Sequence, residues 1–306
     1  MIVTAMAAPR LFDRELLRAR RRRAARQGAE TFLLQATVRE LVERLSAVKR
    51  RFALALDLGT PGEALAAALG ESGQVDRVIA CEPLAGLRAD RALSVAADEE
   101  ALPFGNETLD LVVSALSLQW VNDLPGALAQ IRRALKPDGL LLAALVGGET
   151  LAELRAVLAA AESETAGGAS PRVSPFVDVR TLGALLQRAG FALPVTDVER
   201  TIVRYGSLRP LLLDLRRMGA ANALAERNAT PLKRATLSRA EEIYAERFAD
   251  PDGRLRATFE VLWLSAWAPH ASQQKPLAPG SAKMRLADAL GTREQSAGEK
   301  AGRRTR

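Results

Sequence analysis

Between residues 31 and 48 the apolar positions Phe32, Leu33, Leu34, Val38, Leu41, Val42 and Leu45 recur at helical spacing, which predicts an amphipathic helix. From there short apolar runs alternate with helical patterns. Strands are expected at 52–56, 77–81, 93–96, 109–114 and 140–146, and helices at 62–69, 124–135 and 150–161. Lys136-Pro137-Asp138-Gly139 reads as a helix stop followed by a turn. Nearly continuous apolar strands separated by helices indicate a parallel sheet covered on both faces, a doubly wound α/β architecture. Beyond a Pro/Gly/Ser loop at 166–175, a helix at 181–189 closes at Gly190, and 193–203 reads as one or two strands. Residues 208–248 are mostly helical, and 258–267, with Trp263 and Trp267, returns to a strand pattern.

The 306 residues divide into a basic N-terminal arm (1–28), the α/β core (29–205), a helical segment and final strand completing the same domain (206–290), and a basic tail (291–306) expected to be disordered. With 48% hydrophobic and 26% charged residues, the composition excludes collagen-like, mostly disordered and disulfide-scaffold classes. A single cysteine, Cys81, and a single histidine, His270, allow no intramolecular disulfide, no Cys/His zinc site and no two-histidine iron triad, so no metal centre is expected. The longest apolar run, 140–146, falls far short of the roughly 20 residues of a membrane span. The apolar stretch 2–8 lacks the preceding positive charge of a secretory signal, so the chain reads as intracellular.

The net charge of +7 changes the picture only once it is located. Residues 1–30 carry +5 and 287–306 carry +2, leaving the body between them neutral. The basic charge therefore belongs to two tails, and no nucleic-acid face is expected; aromatics at 4% also leave little for base stacking. Residues 11–26 read as a solvated arm, as a helix packed on its own domain, or as a docking site for an acidic partner or a membrane surface.

In a doubly wound sheet ligands bind beyond the carboxyl ends of the strands. The first strand ends Asp57-Leu58-Gly59-Thr60-Pro61-Gly62-Glu63 and opens into a helix, whose N-terminal amides suit an anionic group. The second ends in Glu82, placed to accept from two ribose hydroxyls. Asp98 and Glu99 follow the third, where Asp98 suits an exocyclic adenine amine. Ser114, then Trp120 and Asn122, follow the fourth. Trp120 and Asn122 are expected to face a substrate, although Trp120 also fits a core aromatic; His270 suits a general base or a structural role. No catalytic residue is assigned.

This series resembles the class I S-adenosylmethionine-dependent methyltransferase family: an acid-x-Gly loop after strand one, an acid after strand two, Asp-plus-acid after strand three, and Lys136-Pro137-Asp138-Gly139 before strand five. Phe12-Asp13-Arg14, 97–104, 117–125, 147–151 and 174–176, with 214–219 and Trp267 to Ala282 outside the shared core, are similar to the methyltransferase-fold assembly factors of respiratory complex I, regarded as arginine hydroxylases. The first half is more distantly similar to the malonyl-carrier-protein methyltransferases of biotin synthesis.

The resemblance implies a Rossmann-like seven-stranded sheet with a helical C-terminal insertion and S-adenosylmethionine as cofactor, bound by Asp57, Gly59, Gly62, Glu82, Asp98, Glu99 and Ser114. It implies a protein substrate, a complex I subunit among the candidates, and a cytoplasmic location in a bacterium or the mitochondrial matrix otherwise. Arginine hydroxylation and a non-catalytic assembly role are the alternatives. Where relatives carry Gly-x-Gly-x-Gly, this chain has Pro61, which lacks an N–H, and Glu63, whose carboxylate would repel a ligand carboxylate if it pointed inward.

Overall fold

The computed structural model describes residues 10–83, 93–274, 281 and 284–293. Residues 1–270 form one compact unit; in the second unit, 271–306, a short helix at Leu286–Leu290 ends at Gly291 with φ 63°. The expectation of disorder for 291–306 falls mainly outside the described residues.

Seven strands form one sheet, β1 (Ala55–Leu58), β2 (Val78–Glu82), β3 (Leu93–Ala96), β4 (Leu109–Ala115), β5 (Leu135–Val146), β6 (Ala192–Tyr205) and β7 (Leu255–Trp267), in the order β3-β2-β1-β4-β5-β7-β6. Strands β1 to β5 are parallel, and β7 runs antiparallel between β5 and β6. The helices are α1 (Arg14–Arg26), α2 (Phe32–Ser46), α3 (Ala64–Glu71), α4 (Leu124–Ala134), α5 (Ala152–Ala166), α6 (Val179–Arg188), α7 (Leu208–Arg217) and α8 (Arg234–Phe248). The doubly wound sheet and the helical insertion between β6 and β7 match the sequence pattern, but the expected parallel sheet holds only for β1 to β5, because β7 returns antiparallel between β5 and β6.

Side-chain parity builds the two faces. Leu111 and Val113 of β4 pack with Val38, Leu41 and Leu45 of α2 and Leu65 and Leu69 of α3. Val112 faces the other way, with Leu128 and Ile131 of α4 and Leu182 and Leu186 of α6. β7 outruns β5 at its start: Leu255, Ala257 and Phe259 leave the central sheet and join α5, α7 and α8 in a third cluster. The predicted turn at 136–139 is a bulge inside β5. Leu135 pairs with Leu109 but Leu140 with Leu111, and Lys136 Nζ reaches Asp110 at 3.0 Å.

The N-terminal segment is part of this body. Asp13 caps α1 by accepting from Leu16 N at 2.9 Å, and Phe12 and Leu17 are buried against Trp120, Ala223 and Leu224. Of the readings left open by sequence, the helix packed on its own domain is the one found. The assignment of the basic charge to a tail is thereby corrected: Arg22, Arg23 and Arg26 are exposed on a folded helix, and charge summed along the chain could not reveal this.

Candidate functional site

A cavity of about 240 Å³ opens where the carboxyl ends of β1, β2, β4 and β5 meet α1. Its wall includes Pro61 and Gly62 after β1, Glu82 at the end of β2, Leu116 and Gln119 after β4, and Val146 at the end of β5. Trp120, Phe176, Phe259 and Met218 supply much of its apolar lining, and Arg21, Ala24 and Ala25 of α1 border it.

The first loop tests whether an adenosyl ligand can be held here. Gly59 (φ 71°) and Gly62 (φ 74°) both occupy the left-handed region that β-carbons disfavour. They serve different ends. A Cβ on Gly59 would overlap Ser117 Oγ and the Glu99 carboxylate, so this glycine lets the loop close on its neighbours. A Cβ on Gly62 would meet nothing within 4 Å, so the backbone there is open to a ligand. Glu63 is exposed at the head of α3 and is absent from the cavity wall, which removes the repulsion expected from its carboxylate. Asp57 is fully buried within β1 behind this loop, and Glu82, 7% exposed, reaches the wall. The residues after β1 and β2 fit the group.

The acids after β3 are turned toward α1 instead. Arg14 forms ion pairs with Asp98 at 2.8 Å and with Glu99, and Arg18 pairs with Asp98. Ser117 Oγ donates to Glu99 Oε1 at 2.6 Å. Burial alone would raise the Glu99 carboxyl, but the guanidiniums of Arg14 and Arg21 and the Ser117 hydroxyl overcome that and hold it below the ordinary value. Glu99 therefore braces α1 against the first loop; the expectation that it contacts adenine is corrected. Asp98, paired with both Arg14 and Arg18, is likewise absent from the cavity lining.

A carboxyl depressed on folding contributes stability above the ordinary glutamate range, and loses it as pH falls through the lowered value. Acid unfolding should accordingly begin below pH 4.5 in part through Glu99. In Glu99→Gln, thermal midpoints measured from pH 7 down to pH about 3 should start lower and fall less steeply than in wild type.

Three further expectations are redirected. Ser114 is fully buried and donates to Leu58 O at 2.7 Å, clipping β4 to β1, and Leu116, with φ 51°, takes the wall position beyond it. Asn122 clamps the chain entering α1: its Oδ1 accepts from Phe12 N at 2.7 Å and its Nδ2 donates to Phe12 O at 3.2 Å. His270 is exposed three residues past β7, whose end at Trp267 pairs with Leu140, just beyond the β5 bulge. That is the end of the strands away from the cavity. Trp120 combines both of its readings, lining the cavity at 5% exposure with edge-on contacts to Phe12 and Phe176.

Replacing Asn122 by Ala should remove both ends of the clamp at a cost of about 1–2 kcal/mol. The expected readout is faster tryptic cleavage at the α1 arginines, with the core fragment resisting.

The sequence reading missed Arg21, Gln119, Phe176, Met218 and Phe259. Gly219 carried a usable signal: with φ 69°, a Cβ there would stand 3.0 Å from the Arg21 Cα, so α1 seats only on a glycine. Among the described residues no group of three or more His, Cys, Asp or Glu could hold a metal ion.

Residues 56–143 match the pattern of a methyltransferase domain. The chain is 42% identical over 254 residues to the zebrafish (Danio rerio) protein named arginine-hydroxylase NDUFAF5, mitochondrial, covering 81% of this chain and 78% of the relative. It is 36% identical over 279 residues to the malonyl-[acyl-carrier protein] O-methyltransferase of Methylovorus sp. (strain MP688), covering 85% and 92%. Among solved structures, a methyltransferase-fold protein of Bacillus halodurans C-125 superposes with a TM-score of 0.54 at 16% identity, covering 77% of this chain and all of that one. That last likeness speaks for the fold.

Proposed function

Because the chain belongs to the methyltransferase-fold family that holds the NDUFAF5 arginine hydroxylases and the malonyl-[acyl-carrier protein] O-methyltransferases, we propose that it is an S-adenosylmethionine-dependent enzyme acting on a protein substrate in the assembly of respiratory complex I. The observation that carries the cofactor assignment is the joining of Glu82 and the open backbone at Gly62 on one cavity wall.

When bound, the cofactor supplies an electrophilic methyl group. Glu82 would accept from the ribose hydroxyls, and the backbone at Gly62 would admit the ligand's chain beyond the ribose. Asp57 supports the loop from within β1. Trp120, Phe176, Phe259 and Met218 exclude water from the acceptor end of the cavity. Alignment in such a site supplies much of the rate of a methyl transfer, so the role of these residues is positional.

The partner reading rests on the relatives and on α1. Arg22, Arg23 and Arg26 stand exposed on the helix that covers the cavity, where an acidic segment of a protein substrate would be drawn toward the site. No helix among the described residues is long and apolar enough to cross a membrane. The place of action is the cytoplasm for a bacterial chain and the matrix for a mitochondrial one. Arginine hydroxylation is the second reading, favoured by the 42% identity to a protein of that name.

Mass spectrometry of complex I subunits from cells with and without this protein separates the two. A methyl group lost on deletion supports transfer, an oxygen atom lost from an arginine supports hydroxylation, and unchanged masses with failed assembly would leave a scaffold.

A further inference from the structure

Two polar groups that line the cavity are unmatched among the described residues. Arg21 lines the cavity with Pro61, Gly62 and Glu82, and among the described residues its guanidinium makes no hydrogen bond and no ion pair. Its neighbours on α1 differ in this respect. Arg14 and Arg18 are both paired with the acids after β3, while Arg21 senses Glu99 and Glu82 without contacting them. Its backbone is fixed against Gly219, so the side chain is delivered to one place.

The second group is Gln119, 8% exposed and also lining the cavity. Its Nε2 donates to Leu116 O at 2.8 Å, which fixes the orientation of the amide. Its Oε1 is left buried with no hydrogen-bond partner. Leaving a guanidinium unpaired in a largely apolar cavity, and a buried amide oxygen unsatisfied, is costly in each case and usually marks a place where a ligand completes the set.

An unmatched cation and an unmatched neutral acceptor are complementary to an anion and a donor presented together. An α-amino-acid head group, carboxylate beside ammonium, has that pattern. Pro61 supplies the need for it, since a proline in the loop after β1 has no amide to offer a carboxylate. We propose that Arg21 and Gln119 form the amino-acid subsite of this cavity, Arg21 taking the carboxylate of the bound ligand and the Gln119 Oε1 accepting from its ammonium group. Recognition of the cofactor's amino-acid end has thus moved in this chain from the strand-one loop to the helix that covers the site. The inference rests on the S-adenosyl reading given above.

The test compares two ligands that differ only in that head group. Calorimetric titration of the full chain with S-adenosylhomocysteine and with 5′-methylthioadenosine, which lacks the amino-acid carboxylate and ammonium, is repeated on Arg21→Gln, Arg21→Lys and Gln119→Leu. Each neutral variant should weaken S-adenosylhomocysteine by about tenfold or more and leave methylthioadenosine within about twofold, with Arg21→Lys recovering part of the loss. Unfolding midpoints of the variants confirm that they remain folded. A parallel fall for both ligands, or no change for either, would overturn the subsite while leaving the cofactor reading intact. Failure of the wild-type chain to bind either nucleoside would overturn both.

Discussion

Deleting residues 1–28 should lower the unfolding midpoint by roughly 10–20 °C and strip the protein of its ligand cavity. Phe12 and Leu17 are 2% and 3% exposed, and burying two such side chains contributes roughly 3–6 kcal/mol. The deletion also removes Arg14 from Glu99, leaving a carboxylate with 3% side-chain exposure facing Ser117 without its guanidinium partner. Against a total stability of 5–15 kcal/mol, about 5 kcal/mol is a large fraction, and for a chain of this size each kcal/mol moves the midpoint by about 2–4 °C. Trp120, Phe176, Ala223 and Leu224 would face water, so a dye that binds exposed apolar surface should brighten. A solvated arm would give neither effect: differential scanning calorimetry would return an unchanged midpoint, and nucleoside binding would survive the deletion.

Glu82→Ala should weaken S-adenosylmethionine about 100-fold or more while the protein stays folded. Two hydrogen bonds from ribose hydroxyls to one ionised acceptor are worth about 1.5–3 kcal/mol each, and every 1.4 kcal/mol is tenfold in affinity. Glu82 sits where the strand order places a ligand, at the carboxyl end of β2 beside β1, and its 7% exposure is onto the cavity wall. Calorimetric titration beside Glu82→Gln reads the effect: the amide keeps one acceptor oxygen and should fall between wild type and Glu82→Ala. Equal affinity in all three proteins would remove Glu82 from the site.

The sheet was legible because its strands are continuous apolar runs whose period differs from that of the helices around them. The acids at the strand ends were legible for a related reason: Asp57 and Glu82 close the apolar runs of β1 and β2 and fall within the last two residues of those strands. What stayed hidden depends on partners distant in sequence. Nothing local to Arg14 shows that it meets Asp98 and Glu99, more than 80 residues away, so the arginine run looked like a tail. Ser114 could not be separated from a ligand contact without knowing that its hydroxyl meets Leu58 O, 56 residues back. His270 looked available to the site until the antiparallel course of β7 carried it to the far end of the strands. In each case the side chain was read correctly as polar and capable, and its direction was supplied by tertiary structure.

In the S-adenosylmethionine reading, α1 closes the strand ends into a binding site despite Pro61 and the missing glycines. The most direct measurement is titration of the full wild-type chain with S-adenosylmethionine by calorimetry. A single site with a dissociation constant of about micromolar is predicted. No detectable heat, from protein whose unfolding midpoint shows it to be folded, would contradict the account.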